Sequence, residues 1–411
     1  MKELTFKQNL LWNSIGSFTY LMCQWLLTLL VVRLSSDFNN AGNFALAISV
    51  TNIFYNLACF NVRQFLVSDI QNEYEVRDYI PFRIVTCAMA MILCIAYILF
   101  FNYSQSQIAC IVLYMVFKIG EAVVDLFHSF EQRSGRMDIG GFSLFCRGLL
   151  SLISFFVGMR LFNNVNIAII CMIIITWIFI FTFDLHKVKG FVSLEYRFEW
   201  KKIKSLFMKF LPLTIGSFIG TTTGTLPRQL LESIHGTAAL GIYGTVATPA
   251  VIVQVASSYI YNPMLVSFAK YRKNAHKKEF TALFLKTSGI ILLLSIICLI
   301  GSYLFAEWGL TLLYGSEVGH NAYLFIPVII YTSLNGFQWF YSSILVVFRC
   351  MKSLLVINFI SFLICILTAR SFISNYGMNG VSYVLICFTF VMIVLMVGLI
   401  IYQIRNMKTL D

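Results

Sequence analysis

HKVKGFVSLEYRFEWKKIKSLFMK, His186 to Lys209, is the passage that organises this chain. It belongs to the longest polar stretch, 184–209, in a sequence that is otherwise almost continuously apolar, and it leaves six apolar segments on either side. A helix of roughly 20 residues crosses a hydrocarbon core of about 30 Å, and each segment meets that length. The expected spans are 9–32, 42–62, 80–101, 107–130, 140–161, 165–183, 208–227, 238–262, 283–305, 322–347, 353–373 and 380–402. The basic passage itself is expected to lie on the membrane surface as a linker, giving an N-terminal six-helix lobe 1–186, a linker 187–207 and a C-terminal six-helix lobe 208–411.

Composition agrees with an all-α polytopic membrane protein. Of 411 residues, 59% are hydrophobic and 12% charged, with a mean hydropathy of +0.81, which excludes an ordinary soluble domain. The first apolar segment exceeds a signal-peptide core and runs straight into a second span, so it is expected to remain as an anchor. The net charge of +12 is explained by topology. With both termini cytoplasmic, Arg33, Arg160, Arg228 and Arg370 fall at the outer side and Lys118 sits mid-span, while the other lysines and arginines fall on or next to cytoplasmic segments. Nucleic-acid binding is therefore not inferred. The eleven cysteines show no CxxC and no metal-ligand spacing with histidine, so no metal site and no resident cofactor is expected.

The halves echo each other. SIGSF at Ser14–Phe18 returns as TIGSF at Thr214–Phe218, and AGNFALAISV from Ala41 is echoed by LGIYGTVATP from Leu240 at nearly the same offset. Six spans per half bring both halves into the membrane in one direction, so the two lobes are expected to be related by a pseudo-twofold axis along the membrane normal.

Polar residues fall in stripes. KIGEAVVDLFH, Lys118 to His128, places Lys118, Glu121, Asp125, His128 and then Gln132 three, four, three and four residues apart, on one face of the fourth span. An unpaired charge at mid-membrane costs about 2.5–3.5 kcal/mol even on the permissive insertion scale, so these groups are expected to face a wet interior or one another. Asn9, Asn13, Ser17 and Gln24 mark span 1; Asn52, Asn56 and Arg63 mark span 2; Thr214, Ser217, Thr221 and Arg228 mark span 7. Gln254, Ser258 and Tyr261 mark span 8, and Asn335, Gln338, Ser342 and Arg349 mark span 10, whereas Ser143, Arg147 and Ser151 on span 5 have no counterpart. A lumen lined by equivalent helices would produce most of this pattern; helix packing through small polar residues is the plainer account of any one stripe. Pro249 and Pro327 are expected to kink spans 8 and 10.

Three stretches carry a family resemblance: NSIGSFTYLMCQWLLTLLVVRLSSDFNNAGNFALA from Asn13, LPLTIGSFIGTTTGTLPRQLLESIHGTAALGIYGTVATPAVIVQ from Leu211, and LYGSEV at Leu313 followed by NYGMNGVSYVLI from Asn375. Together with length and the six-plus-six arrangement, they resemble the polysaccharide-type flippases of the multidrug/oligosaccharidyl-lipid/polysaccharide (MOP) exporter superfamily. The resemblance implies a transporter of the bacterial cytoplasmic membrane that moves undecaprenyl-diphosphate-linked oligosaccharide to the outer leaflet by alternating access. It implies Arg33, Asn52, Asn56, Arg63, Lys118, Arg147, Arg228, Asn335, Gln338 and Arg349 as candidates to meet that substrate, the cations at its diphosphate or acidic sugars. Glu121 and Asp125, with His128 extending them, are the candidates for coupling to protons or sodium. Membrane lipids, a polysaccharide polymerase and chain-length proteins are the partners it implies.

Acids at Asp37 and Glu232 offer Arg33 and Arg228 a plainer role in outer-surface ion pairs, and Arg63, Arg147 and Arg349 have snorkelling as theirs. A cation or drug antiporter of the same superfamily would need anionic groups in a smaller pocket, but cations are at least as numerous here. A membrane-embedded polysaccharide-modifying enzyme would need a nucleophile, base and orienter, and no such constellation is visible. Cytoplasmically active reporters fused to either terminus are expected to be active, and the same reporters fused after Arg33 or Arg160 inactive; the opposite readout would invert the topology.

Overall fold

A computed structural model describes residues 6–35, 38–63, 66, 76–190 and 198–407. Among them are helices and turns and no strand. Twelve long helices follow in order: α1 Phe6–Leu34, α2 Phe38–Cys59, α3 Val76–Phe100, α4 Gln105–Arg133, α5 Met137–Phe162, α6 Val165–Lys189, α7 Trp200–His235, α8 Thr237–Tyr261, α9 Lys277–Tyr314, α10 Phe325–Val347, α11 Met351–Tyr376 and α12 Met378–Arg405. Nine of these are long and apolar enough to cross a membrane. The other three, α2, α4 and α10, hold the polar residues Asn52, Asn56, Lys118, Glu121, Asp125, Asn335 and Gln338, which lower their hydropathy. Large side chains such as Ile92, Leu99, Leu161, Ile297, Leu304 and Leu367 lie exposed along the helices, as a surface facing hydrocarbon requires.

The chain forms two compact units, Met1–Thr221 and Thr222–Asp411, and α7 carries the chain from one into the other. Each unit uses the same neighbours. In the first, α2 packs on α3 and α4, α4 on α3 and α6, and α5 on α6; in the second, α8 packs on α9 and α10, α10 on α9 and α12, and α11 on α12. The Cys365 thiol on α11 also meets the Thr223 carbonyl on α7 at 3.5 Å. Offset by six helices, these pairings express the sequence echo as packing.

Helix ends differ from the expected spans where polar residues continue a helix beyond the hydrocarbon. α7 begins at Trp200, inside the stretch expected to be linker, and its 36 residues reach about 54 Å at 1.5 Å per residue. Residues 191–197 of that linker lie outside the described ones. α6 runs on to Lys189 through a π-helical turn at Ile180–Asp184. Asp184, expected to open the polar stretch, is thereby fully buried. Pro249 stays inside α8, whereas Pro327 stands in the first turn of α10, where its missing N–H costs no interior bond, so the kink expected there has no cause.

Aromatic side chains knit the end of each unit. Phe60 packs on Phe82 and Phe207, and Phe82 on Phe210, which ties the start of α7 to α2 and α3. In the second unit Phe340 meets Phe268, Phe284 and Tyr261. The α1–α5 contact depends on small residues instead. A methyl group added at Gly16 would strike the carbonyl of Gly141, and one at Gly141 would strike the carbonyl of Trp12, so only glycine admits this backbone approach. Gly141→Leu is expected to destabilise the protein by about 1–3 kcal/mol or more through overpacking, measured by thermal unfolding in detergent, while Gly289→Leu, where a side chain meets open space, leaves it nearly unchanged.

Candidate functional site

α4 is the element that positions the charges. Ser104 caps its N-terminus in a reciprocal pair with Gln107, the Gln107 N–H donating to the Ser104 hydroxyl at 3.3 Å and the Ser104 N–H to the Gln107 side chain at 2.8 Å. From that start Lys118, Glu121, Asp125, His128 and Gln132 follow on one face, and the structure gives each a different environment.

Glu121 is held from two sides. The Arg147 guanidinium on α5 donates to Oε1 at 2.5 Å, and the Tyr20 hydroxyl on α1 donates to Oε2 at 2.6 Å. Arg147 is only 2% exposed; its Nε donates to the Ser143 hydroxyl at 3.3 Å and stands 4.0 Å from the Asp184 carboxylate, while its planar group lies 5.7 Å from the centre of the Tyr20 ring. Three helices thus meet at one compensated charge. The expectation that Arg147 snorkels to the surface is corrected, because its charge has a buried partner and no need of water. This also explains the polar stripe of α5, which faces α1 and α4: Gln24 donates to Ser151 at 3.5 Å, and the Asn9 side chain bonds the carbonyl of Gly135 and the N–H of Met137.

Asp125 has two cations. Arg63 approaches Oδ1 at 3.4 Å and Arg83 approaches Oδ2 at 3.3 Å. Arg83 is buried and anchored by a 2.7 Å bond to the Ala58 carbonyl, whereas Arg63 is 37% exposed and also donates twice to the Gln132 side chain, at 3.0 and 3.2 Å. Both acids expected to serve a coupling ion are therefore already matched to arginines.

Lys118 stands apart. Among the described residues no hydrogen bond or ion pair joins it to another side chain; its ammonium lies over the rings of Tyr55 and Tyr114, at 5.0 and 5.7 Å from their centres. Aromatic faces stabilise a cation by about 0.5–2 kcal/mol without neutralising it. Lys118 makes no ion pair with Glu121 three residues on, whose two oxygens are met by Arg147 and Tyr20.

The other expected residues are spread over both units. Asn56 on α2 donates to Thr221 on α7 at 2.5 Å and to the Asn52 carbonyl at 3.3 Å, and Asn61 donates to Ser217 at 3.2 Å. In the second unit Asn335 donates to Gln254 at 2.8 Å, and Gln338 to Ser342 at 3.2 Å. Arg228 makes no ion pair with Glu232, whose carboxylate instead accepts from Thr237 at 3.2 Å. Its Nε is buried without a hydrogen-bond partner. Arg33 is exposed, and Asp37 lies outside the described residues; Arg349 is exposed at the turn after α10, with φ of 61°.

Four residues at this site escaped the sequence reading. Tyr20 lies between Ser17 and Gln24 on the striped face of α1, and Arg83 falls inside an apolar span; both were legible signals. Glu131 and Asp184, fully buried beside His128 and Arg147, were not, since one looked like a helix end and the other like a linker.

No family model matches the sequence. A relative in sequence is the capsular polysaccharide biosynthesis protein CapF of Staphylococcus aureus, 26% identical over 309 residues, covering 74% of this chain and 76% of that one. Among solved structures, the lipid II flippase MurJ in an inward closed conformation superposes with a TM-score of 0.76 at 12% identity, over 96% of this chain and 89% of MurJ. The Vibrio cholerae MATE transporter VcmN matches with 0.63 at 14% identity over 98% and 97%, and an inward-facing multidrug resistance MATE transporter of the MOP superfamily with 0.67 at 10% over 98% and 99%.

Removing one member of a buried ion pair strands the other, at about 3–5 kcal/mol. Arg147→Met is expected to lose that much stability in detergent, and Glu121→Gln combined with it to lose less than the two single losses summed; strict additivity in the cycle would mean that the pair carries no coupling.

Proposed function

We propose that this chain, which has the fold of the MATE and MurJ transporters of the MOP superfamily, is a flippase carrying a diphosphate-linked oligosaccharide from the cytoplasmic to the outer leaflet of a bacterial membrane, driven by a proton or sodium gradient. The observation that carries the reading is Lys118. Glu121, Asp125 and Asp184 balance Arg63, Arg83 and Arg147 on and around α4, and Lys118 is the cation left over, half-buried and held by Tyr55 and Tyr114.

A leftover cation at a partly open polar face favours an anionic ligand, and a diphosphate supplies one. Tyrosine rings beside it suit the apolar faces of sugars. The relative named for capsular polysaccharide biosynthesis and the fold shared with a lipid II flippase support the same class of cargo. Arg63, partly exposed next to Gln132, is the second group in this unit free enough to turn towards a phosphate. An antiporter of cationic drugs is the weaker reading, because the carboxylates on this face of α4 are occupied by arginine.

The test is transbilayer movement of a lipid-linked oligosaccharide by the purified protein in proteoliposomes. Lys118→Met is expected to raise the cargo concentration for half-maximal movement by roughly tenfold or more, the loss of a charged hydrogen bond worth about 1.5–3 kcal/mol, while Lys118→Arg retains most of it. Absence of movement across several cargoes, together with efflux of a cationic dye, would overturn the flippase reading.

A further inference from the structure

Glu131 and His128, one turn apart on α4, turn to the same spot on α5. A methyl group at Gly140 would stand 3.0 Å from Glu131 Oε2 and 3.2 Å from the His128 ring, so both side chains lie directly on that glycine. Glu131 is 0% exposed, and neither of its carboxylate oxygens has a hydrogen-bond partner; Nε2 of the buried His128 has none either.

The charged groups that face Glu131 are Asp138 and Arg147 from α5, Arg136 from the turn before it, Asp184 from α6 and Arg63 from the segment after α2. Their cations are engaged elsewhere. Arg136 binds Asp138 through two bonds of 2.9 Å, Arg147 binds Glu121, and Arg63 binds Asp125 and Gln132. A buried carboxylate with no partner carries a desolvation cost of several kcal/mol that the structure does not otherwise offset.

We infer that Glu131, in the pocket it shares with His128 and Gly140, is the proton-binding group of this chain and couples its transport to a proton gradient. A proton removes that cost by neutralising the carboxylate where it stands. Gly140 lies close against one carboxylate oxygen, and a proton needs no volume. Binding converts the carboxylate to a neutral acid with one O–H donor, and the unpartnered His128 ring lies against the same glycine. Release then needs the pocket to reach water, which makes proton occupancy depend on conformation. The word coupling rests on the transport reading above; the proton site does not.

Two measurements separate the two claims. Infrared difference spectra of the full chain in detergent, taken between acidic and basic pH, are expected to show a carboxylic-acid C=O band that disappears in Glu131→Gln and persists in the exposed control Glu279→Gln. In proteoliposomes, Glu131→Gln is expected to lose stimulation by a pH gradient by roughly tenfold while retaining gradient-independent movement. Should that variant fail to fold, Gly140→Ala, which presses a methyl group on the carboxylate, is expected to shift the midpoint of the band. A band unchanged in Glu131→Gln, a midpoint unmoved in Gly140→Ala, or transport whose gradient response survives Glu131→Gln overturns the inference and leaves the flippase reading intact. A band lost in Glu131→Gln from a protein that moves no cargo does the reverse.

Discussion

Glu121 sits inside an apolar bundle because Arg147 and Tyr20 meet its two oxygens, and the rest of the first unit is arranged so that they can. In hydrocarbon there is no water to solvate a stranded charge, so the partner must come from another helix at fixed depth and rotation. That requirement sets the register of α1 and α5 against α4. It also explains why α1 and α5 approach closely enough for Gly16 and Gly141 to touch: the short distance lets Tyr20 and Arg147 reach one carboxylate together.

Around this fixed point the charges of α4 divide into two kinds. Glu121 and Asp125 hold elements together, Glu121 through Arg147 of α5 and Asp125 through Arg83 of α3 and Arg63 after α2. Lys118 and Glu131 are left without an opposite charge, one half-open against two tyrosines, the other sealed on a glycine. An uncompensated charge is a cost that folding would be expected to remove, and its persistence at these two places on one helix is what the proposed anion and proton sites rest on. The second unit repeats the helix pairings but not this chemistry. Its equivalent helix α10 offers Asn335, Gln338 and Ser342, which bond to neutral partners.

Much of this was legible in the residues. The helix count, the two-unit plan, the polar face of α4 and the unusual stripe on α5 all follow from periodicities that survive without knowing any contact. A stripe says which residues share a face, however, and not what lies opposite. Asn9, Ser217, Thr221 and Gln24 looked like lumen candidates and turn out to face neighbouring helices within their own unit. Asp184 looked like the start of a linker because its surroundings in sequence are polar; a π-helical turn, which no residue pattern announces, rotates it into the core beside Arg147.

Sequence by itself determined that this chain is a two-unit bundle of membrane helices and that α4 carries the ionisable residues, because hydropathy and helical spacing are local properties of the chain. Only the tertiary structure decided which of those residues are compensated. Lys118 and Glu121 are one turn apart and would pair on an isolated helix, yet Arg147, 26 residues further along the chain, and Tyr20, 101 residues earlier, take the carboxylate instead. Partnership between charges depends on distance in space and on what water is excluded, and neither quantity is written in the order of the residues.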